Sequence, residues 1–274
     1  MRRLLLAAAM FAVVQTAQGA DMPDLPILRG AFTEGPPPTV TWQGYYIGGQ
    51  GGYGSSDANF NGSTRTMAAA LLADTLIENQ MGVSQWNLGL GKTSTRSSAF
   101  GGFAGYNAQW EEVVLGLEAS YMHGSFGGTA SSSEARASGA ALSDSFFHDV
   151  KATSSASIAI SDMATFRGRA AYAYGCFLPY IFGGLALGNA DITRTVTVQD
   201  AVSNAALGPF VKLAPLSASE GVHNHLIYGY SAGLGVDVNL IGGLFMRAEW
   251  EYIRFTTTVD TSINTARAGL GYKF

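Results

Sequence analysis

Eight charged side chains stand out in this 274-residue chain, each set among small and apolar neighbours: Glu118, Arg167, Arg169, Arg247, Glu249, Glu251, Arg267 and Lys273. Acids and bases occur in a mix that permits mutual pairing. Arg is the base best shaped to grip a carboxylate through two parallel hydrogen bonds. In a dry interior such charges must be paired, because breaking a buried pair costs about 3–5 kcal/mol. Two kinds of chemistry fit: a salt-bridged plug that holds a shape, or the charged wall of a narrow ion path.

Catalytic and metal chemistry find less support. His223-Asn224-His225 would place two imidazoles on one side of a strand, as a shared metal requires. Glu220 is the only acid close by and no Cys is near, so a solvated loop end is the better reading. His123 and His148 stand alone and read as surface polar groups. His123, Asp162 and the many serines contain the ingredients of a nucleophilic triad, but nothing in their spacing assembles one. Cys176 is the single cysteine, which excludes an internal disulfide framework and a Cys-rich zinc site. No enzyme, cofactor or metal is expected. A formal charge of −4 without a basic cluster argues against nucleic acid as a partner.

The elements that position these charges are strands. Hydrophobic residues make up 47% of the chain and charged residues 13%, against about 25% charged in a soluble domain. That balance excludes intrinsic disorder. After Thr41 the apolar pattern has period two, in eight runs: roughly 42–54, 98–109, 112–123, 162–175, 178–190, 225–238, 244–256 and 263–274. Each has the length that a tilted strand needs to cross a bilayer. In 244–256, for example, Leu244, Met246, Ala248, Trp250 and Tyr252 oppose Arg247, Glu249 and Glu251. In 162–175, Phe166, Gly168 and Ala170 oppose Arg167 and Arg169.

A soluble β-sandwich and a transmembrane barrel both use such strands. The barrel is favoured because charges recur in the middle of the polar face, flanked by Gly, and because aromatic rings cluster near strand ends. Trp42, Tyr45, Tyr172, Tyr174, Trp250 and Tyr252 are the expected girdle at the two membrane interfaces. Eight strands leave an interior just wide enough for side chains to fill, which favours the plug over the ion path. The expected fold is all-β: an eight-stranded antiparallel transmembrane barrel with long extracellular loops.

The chain opens with a basic pair, Arg2 and Arg3, an apolar run from Leu4 to Val14, and small residues before Ala20. This is the pattern of a signal peptide over 1–19, too short to span a bilayer. Residues 20–41 hold five of the eight prolines and read as an extended periplasmic lead-in able to make contacts there. The connections between runs alternate in length. Short ones fall at 110–111, 176–177 and 239–243, and long ones at 55–97, 124–161 and 191–224; the last connection, 257–262, is short and breaks the alternation. Outer-membrane barrels place short turns in the periplasm and long loops outside, so both termini are expected in the periplasm. Residues 66–83 could form a short amphipathic helix over the barrel mouth. The Ser-, Ala- and Thr-rich stretches 129–141 and 152–161 are expected to be mobile.

Trp42-Gln43-Gly44-Tyr45-Tyr46-Ile47-Gly48 resembles the first strand of the small outer-membrane β-barrel family, the opacity-related and outer-membrane immunogenic proteins common in alphaproteobacteria. The resemblance extends through Gly116-Leu117-Glu118-Ala119, Arg167-Gly168-Arg169 and Pro179-Tyr180-Ile181-Phe182-Gly183-Gly184. It is best in Arg247-Ala248-Glu249-Trp250-Glu251-Tyr252 and in the closing Arg267-Ala268-Gly269-Leu270-Gly271-Tyr272-Lys273-Phe274. The resemblance implies that the strand ending in Tyr272 and Phe274 is the signal read by the barrel-assembly machinery. It spares the loops, which are longer than is usual for the family. Outer-membrane lipid and lipopolysaccharide are the implied surroundings. The expected role is structural, porin-like in architecture with a plugged lumen. A small-solute channel and a loop-borne adhesin or ligand binder are the alternatives.

Overall fold

The computed structural model describes residues 40–86, 88–256 and 259–274. The expected signal peptide over 1–19, and the lead-in apart from Val40 and Thr41, lie outside them. The strands are β1 (Gly44–Asn59), β2 (Lys92–Trp110), β3 (Val113–Ala137), β4 (Phe147–Tyr172), β5 (Phe177–Ser203), the two-residue β6 (Val211–Lys212), β7 (Leu216–Ile241), β8 (Leu244–Phe255) and β9 (Asp260–Lys273). All but β6 form one antiparallel ring. β4 pairs with β5, β5 with β7, and β9 closes on β1. Closure leaves no sheet edge along the spanning part, so every backbone group there finds a partner without water.

The period-two pattern decides which way each side chain points. Leu117 is 74% exposed and Leu270 55% exposed on the outer surface, with Phe166 and Trp250 beside them. Their strand neighbours Glu118, Arg167, Glu249, Glu251 and Arg267 are buried inside. An outward apolar belt around a polar interior is the arrangement that fits hydrocarbon outside.

The three short turns fall where the sequence puts them. The long connections do not. Residues 124–137 and 147–161 are paired strand, with Thr129 opposite Ser157 and Ser133 opposite Thr153. β5 likewise runs on to Ser203 against β4. The expected loops 124–161 and 191–224 are therefore mostly a wall of β3, β4, β5 and β7 that rises beyond the belt, and the stretches 129–141 and 152–161 lie largely within it. The cause of the misreading is local. Register shifts interrupt the pairing at 123–126 on β3, 160–162 on β4 and 190–192 on β5. On β4 the inward set changes from Met163, Thr165, Arg167 and Arg169 to Val150, Ala152, Ser154, Ala156, Ile158 and Ile160. A bulge of this kind inserts a residue and resets the alternation, so the pattern stops although the strand continues.

Among the described residues, only 60–91 remains a long connection. It carries two short helices, α1 (Arg65–Leu71) and α2 (Leu76–Met81), in place of the single helix expected over 66–83. Thr75 caps α2 by accepting from the Glu78 amide at 3.3 Å, and Gly82 ends it at φ 59°. Ala68, Leu72, Ile77, Val83 and Trp86 pack against Val150, Ala152, Val196 and Val198 on the inner face of the wall. The helices are too short to hold themselves and owe their place to this burial.

Inside the ring, aromatic side chains are matched to glycines across the strands. Phe103 faces Gly48, Tyr46 faces Gly105, Tyr180 faces Gly235, Phe182 faces Gly233 and Phe245 faces Gly271. A Cβ on Gly271 would lie 2.3 Å from Cζ of Phe245, and one on Gly233 would lie 2.4 Å from Cζ of Phe182. The missing side chain is what lets the ring lie flat on the wall. Gly271→Leu is expected to lower the unfolding free energy by about 1–3 kcal/mol, the usual cost of overpacking, measured by urea titration of the detergent-folded protein. The same change at Gly168, where an added Cβ meets nothing within 4 Å, should leave the midpoint nearly unchanged.

Candidate functional site

The interior site is built by β3, β4, β7, β8 and β9, each contributing inward charges at one level of the barrel. Glu118 on β3 is the hub. Arg167 donates to it through Nε at 2.9 Å and also through Nη2. Arg169 donates through Nη1 at 3.0 Å, and Arg247 through Nη1 at 2.9 Å. The Tyr46 hydroxyl donates to the same carboxylate at 2.7 Å. Arg167 continues to Glu249 at 2.7 Å and lies 3.5 Å from Glu251, which is in turn gripped by Arg267. Asp237 on β7 accepts from Arg169 at 2.7 Å and from Arg247 Nε at 2.9 Å. Tyr180 donates to Glu249 at 2.7 Å.

Four arginines thus meet four carboxylates, and the layer is neutral as a set. Geometry explains why Arg rather than Lys fills it: each planar guanidinium forks between two or three acceptors. Three of the four also have an aromatic face beneath them. Arg167 lies 4.0 Å from the Phe182 ring centre, Arg169 3.8 Å from that of Tyr180, and Arg247 3.8 Å from that of Phe103. A desolvated cation over a ring gains about 2 kcal/mol, which offsets part of the cost of taking the charge out of water.

The layer is bounded on both sides. Towards the short turns, Trp42, Tyr46, Phe103, Val114, Leu178 and Phe245 form an aromatic floor. Towards the helices, a cluster that includes Phe60, Phe126, Ile158, Ile160, Ile253, Phe255 and Ile263 fills the bore with apolar side chains.

Seven of the eight charges read from the sequence meet in this layer. Lys273 does not. It has the inward parity but lies at the rim, where its ammonium donates to the Thr41 carbonyl. Asp237, Tyr46 and Tyr180 complete the layer and were not expected there. Asp237 follows a run of glycine and serine on the inner face of β7, and its place opposite Arg247 in the register is the signal that pairs it. Trp42 is corrected from girdle to floor. It is 3% exposed and stacks edge-on against Phe245 at 6.3 Å, because it shares the inward parity of Tyr46 and Gln50 on β1. Tyr45, Tyr172, Tyr174 and Trp250 are exposed on the outer surface and Tyr252 is half-buried. Tyr272 and Phe274 stack outward at 5.3 Å, and the Phe274 amide donates to the Tyr45 carbonyl at 2.9 Å.

His123 and Asp162 do meet, at 2.8 Å across β3 and β4. The Ser161 hydroxyl, however, donates to Asp162 and not to the imidazole, so the three do not form a nucleophile–base chain. His223 lies 3.5 Å from Asp191 on the exposed bulge of β7. His148, read as a surface residue, is buried between Asp144 and Asp200.

A closed antiparallel ring with an apolar outer belt and an ionic interior defines a transmembrane β-barrel of outer-membrane type. The chain belongs to the family of the outer membrane protein beta-barrel domain, which it matches over residues 4–274. Among solved structures it is similar to Ail, the attachment invasion locus protein of Yersinia pestis. That likeness has a TM-score of 0.36 at 14% identity and covers 85% of this chain and 99% of that one. Neisserial surface protein A gives 0.33 at 14% identity, covering 84% and 97%. The N-terminal β-barrel domain of Pseudomonas aeruginosa OprF gives 0.27 at 12%, covering 83% and 99%. Comparison with curated proteins gives no match.

Glu118→Gln should destabilise the folded barrel by about 3–5 kcal/mol, since it strands arginines that have no water to turn to. Lys273→Met at the rim should change stability by no more than about 0.5 kcal/mol. Urea unfolding in lipid vesicles, followed by Trp fluorescence, compares the two. Equal effects would mean that the hub is hydrated.

Proposed function

We propose that this protein is a structural barrel of the Gram-negative outer membrane that supports envelope integrity and presents a surface for interaction, with a lumen closed to solutes. The observation that carries this reading is the filling of the bore in successive layers: aromatic floor, neutral ion-pair layer, apolar cluster, then α1 and α2 with Trp86. An ion entering such a bore would have to leave its hydration shell and break pairs that are themselves dry. No catalytic role belongs to this reading.

The pole with the short turns, which also holds Val40 and Phe274, is assigned to the periplasm, and the wall and helices to the cell exterior. In that orientation residues 20–41 would reach periplasmic components. The Tyr272–Phe274 strand end would be offered to the barrel-assembly machinery. Lipid and lipopolysaccharide would meet the outer belt. Surface interaction would fall to the raised wall, whose outward residues, such as Thr129, Ser131, Ser133, Thr195 and Thr197, are mainly small and polar.

Planar-bilayer recording of the full-length folded protein is the test. No unitary conductance is expected at neutral pH in molar salt. Steady, reproducible single-channel steps would replace the structural reading with that of a small-solute or ion channel.

A further inference from the structure

His148, near the start of β4, is 3% exposed at the pole that carries the helices. Its Nδ1 lies 2.9 Å from a carboxylate oxygen of Asp200 on β5, and its Nε2 lies 3.0 Å from one of Asp144 in the 138–146 turn. An ionised carboxylate only accepts hydrogen bonds. Both contacts are therefore hydrogen bonds only when both ring nitrogens carry protons. In either neutral tautomer, one nitrogen lone pair faces a carboxylate.

The same turn is fastened to α2. Gln80 donates to the Ser143 hydroxyl at 2.7 Å, and the Ser143 amide donates back to Gln80 at 3.2 Å. Ser143 and Asp144 are chain neighbours, so the imidazole and the helix hold adjacent residues of one short segment. Beneath α2, between it, β5 and residues 213–216, lies a cavity of about 330 Å³. Among the described residues its only titratable lining groups are Asp144, His148 and Asp200. On the elements around it, Glu78 of α2 is committed to the amide and hydroxyl of Ser84. Lys212 of β6 and Asp149 and Lys151 of β4 are exposed.

We propose that His148 is a proton-operated latch: as imidazolium it fastens the 138–146 turn and α2 across the barrel mouth, and on losing its proton it releases them and opens the cavity under α2. Burial opposes the charged ring, but the hydrogen bonds and charges of Asp200 and Asp144 outweigh it and hold the imidazole above its ordinary value. A folded value raised above the unfolded one sets the sign. The latch contributes fully below the unfolded value of about 6.5 and is lost as pH rises through the folded value. The mouth is fastened in acid and released in alkali.

Hydrogen–deuterium exchange on the full chain folded in lipid nanodiscs, between pH 5.5 and 9 and corrected for intrinsic rates, tests this. Amides of 139–148 and 76–82 should exchange at least about tenfold faster at pH 9 than at pH 5.5, the factor that a charge-assisted hydrogen bond supplies, while 163–172 stay unchanged. His148→Asn should exchange fast at both extremes, with its fold verified by the heat-dependent gel shift. Asp144→Asn, an exposed change that removes one negative charge beside the imidazole, should move the midpoint to lower pH and carries the test if the His148 variant does not fold. Equal protection of the wild type at both pH values, a wild-type profile in His148→Asn, or an unmoved midpoint in Asp144→Asn would each overturn the proposal.

Discussion

The narrowness of an eight-stranded ring is the constraint from which the rest of the structure follows. Strands tilted in a membrane must close on themselves to satisfy their backbones, and eight of them enclose a space that side chains fill. Whatever points inward is then taken out of water. Charges survive there only as a set in which each lies against its opposite. Glu118, reached by three arginines and by the Tyr46 hydroxyl, is the point where that condition is met most densely. Guanidinium planes on aromatic faces and glycines opposite those faces follow from the same shortage of room.

The interior is not uniform along its length. The ion-pair layer crosses the middle of the outer belt, and beyond it, towards the helices, the lining becomes apolar around Phe126, Ile158, Ile160 and Phe255. The outer surface there exchanges apolar residues for Ser and Thr. The barrel is thus apolar outside and ionic inside over one stretch, and polar outside and apolar inside over the next. The second stretch has the polarity of an ordinary water-facing sheet, which suits a wall that stands clear of the hydrocarbon.

That inversion explains what the sequence disclosed and what it concealed. Leu117, Phe166, Trp250 and Leu270 alternate with charges, so the spanning strands, their faces and seven members of the ion-pair layer were legible. The wall was not, because Thr129, Ser131, Ser155 and Ser157 offer little contrast between faces and the bulge at Ser161 shifts the alternation. The sequence-based strand ends at 123, 162 and 190 fall at the bulges. His148 was misread for a related reason. Asp144, four residues back, reaches it only through the fold of the 138–146 turn, and only the β4–β5 register brings Asp200 alongside. Trp42 shares the inward parity of Tyr46 and Gln50, a sign that its aromatic type, suited to a girdle, overrode.

The pairing of each inner ring with a glycine on the next strand has an implication for how this lineage can change. A bore blocked by one bulky residue could be cleared by trimming it. Here, replacing Phe103 or Phe245 with a small residue would leave a hollow beside a bare backbone while the arginine above lost its support. Filling the opposite glycine first would collide with the ring. Neither half of the motif can drift alone, so ancestral substitutions should have occurred as coordinated pairs, and any thinning of this layer runs through several simultaneous changes.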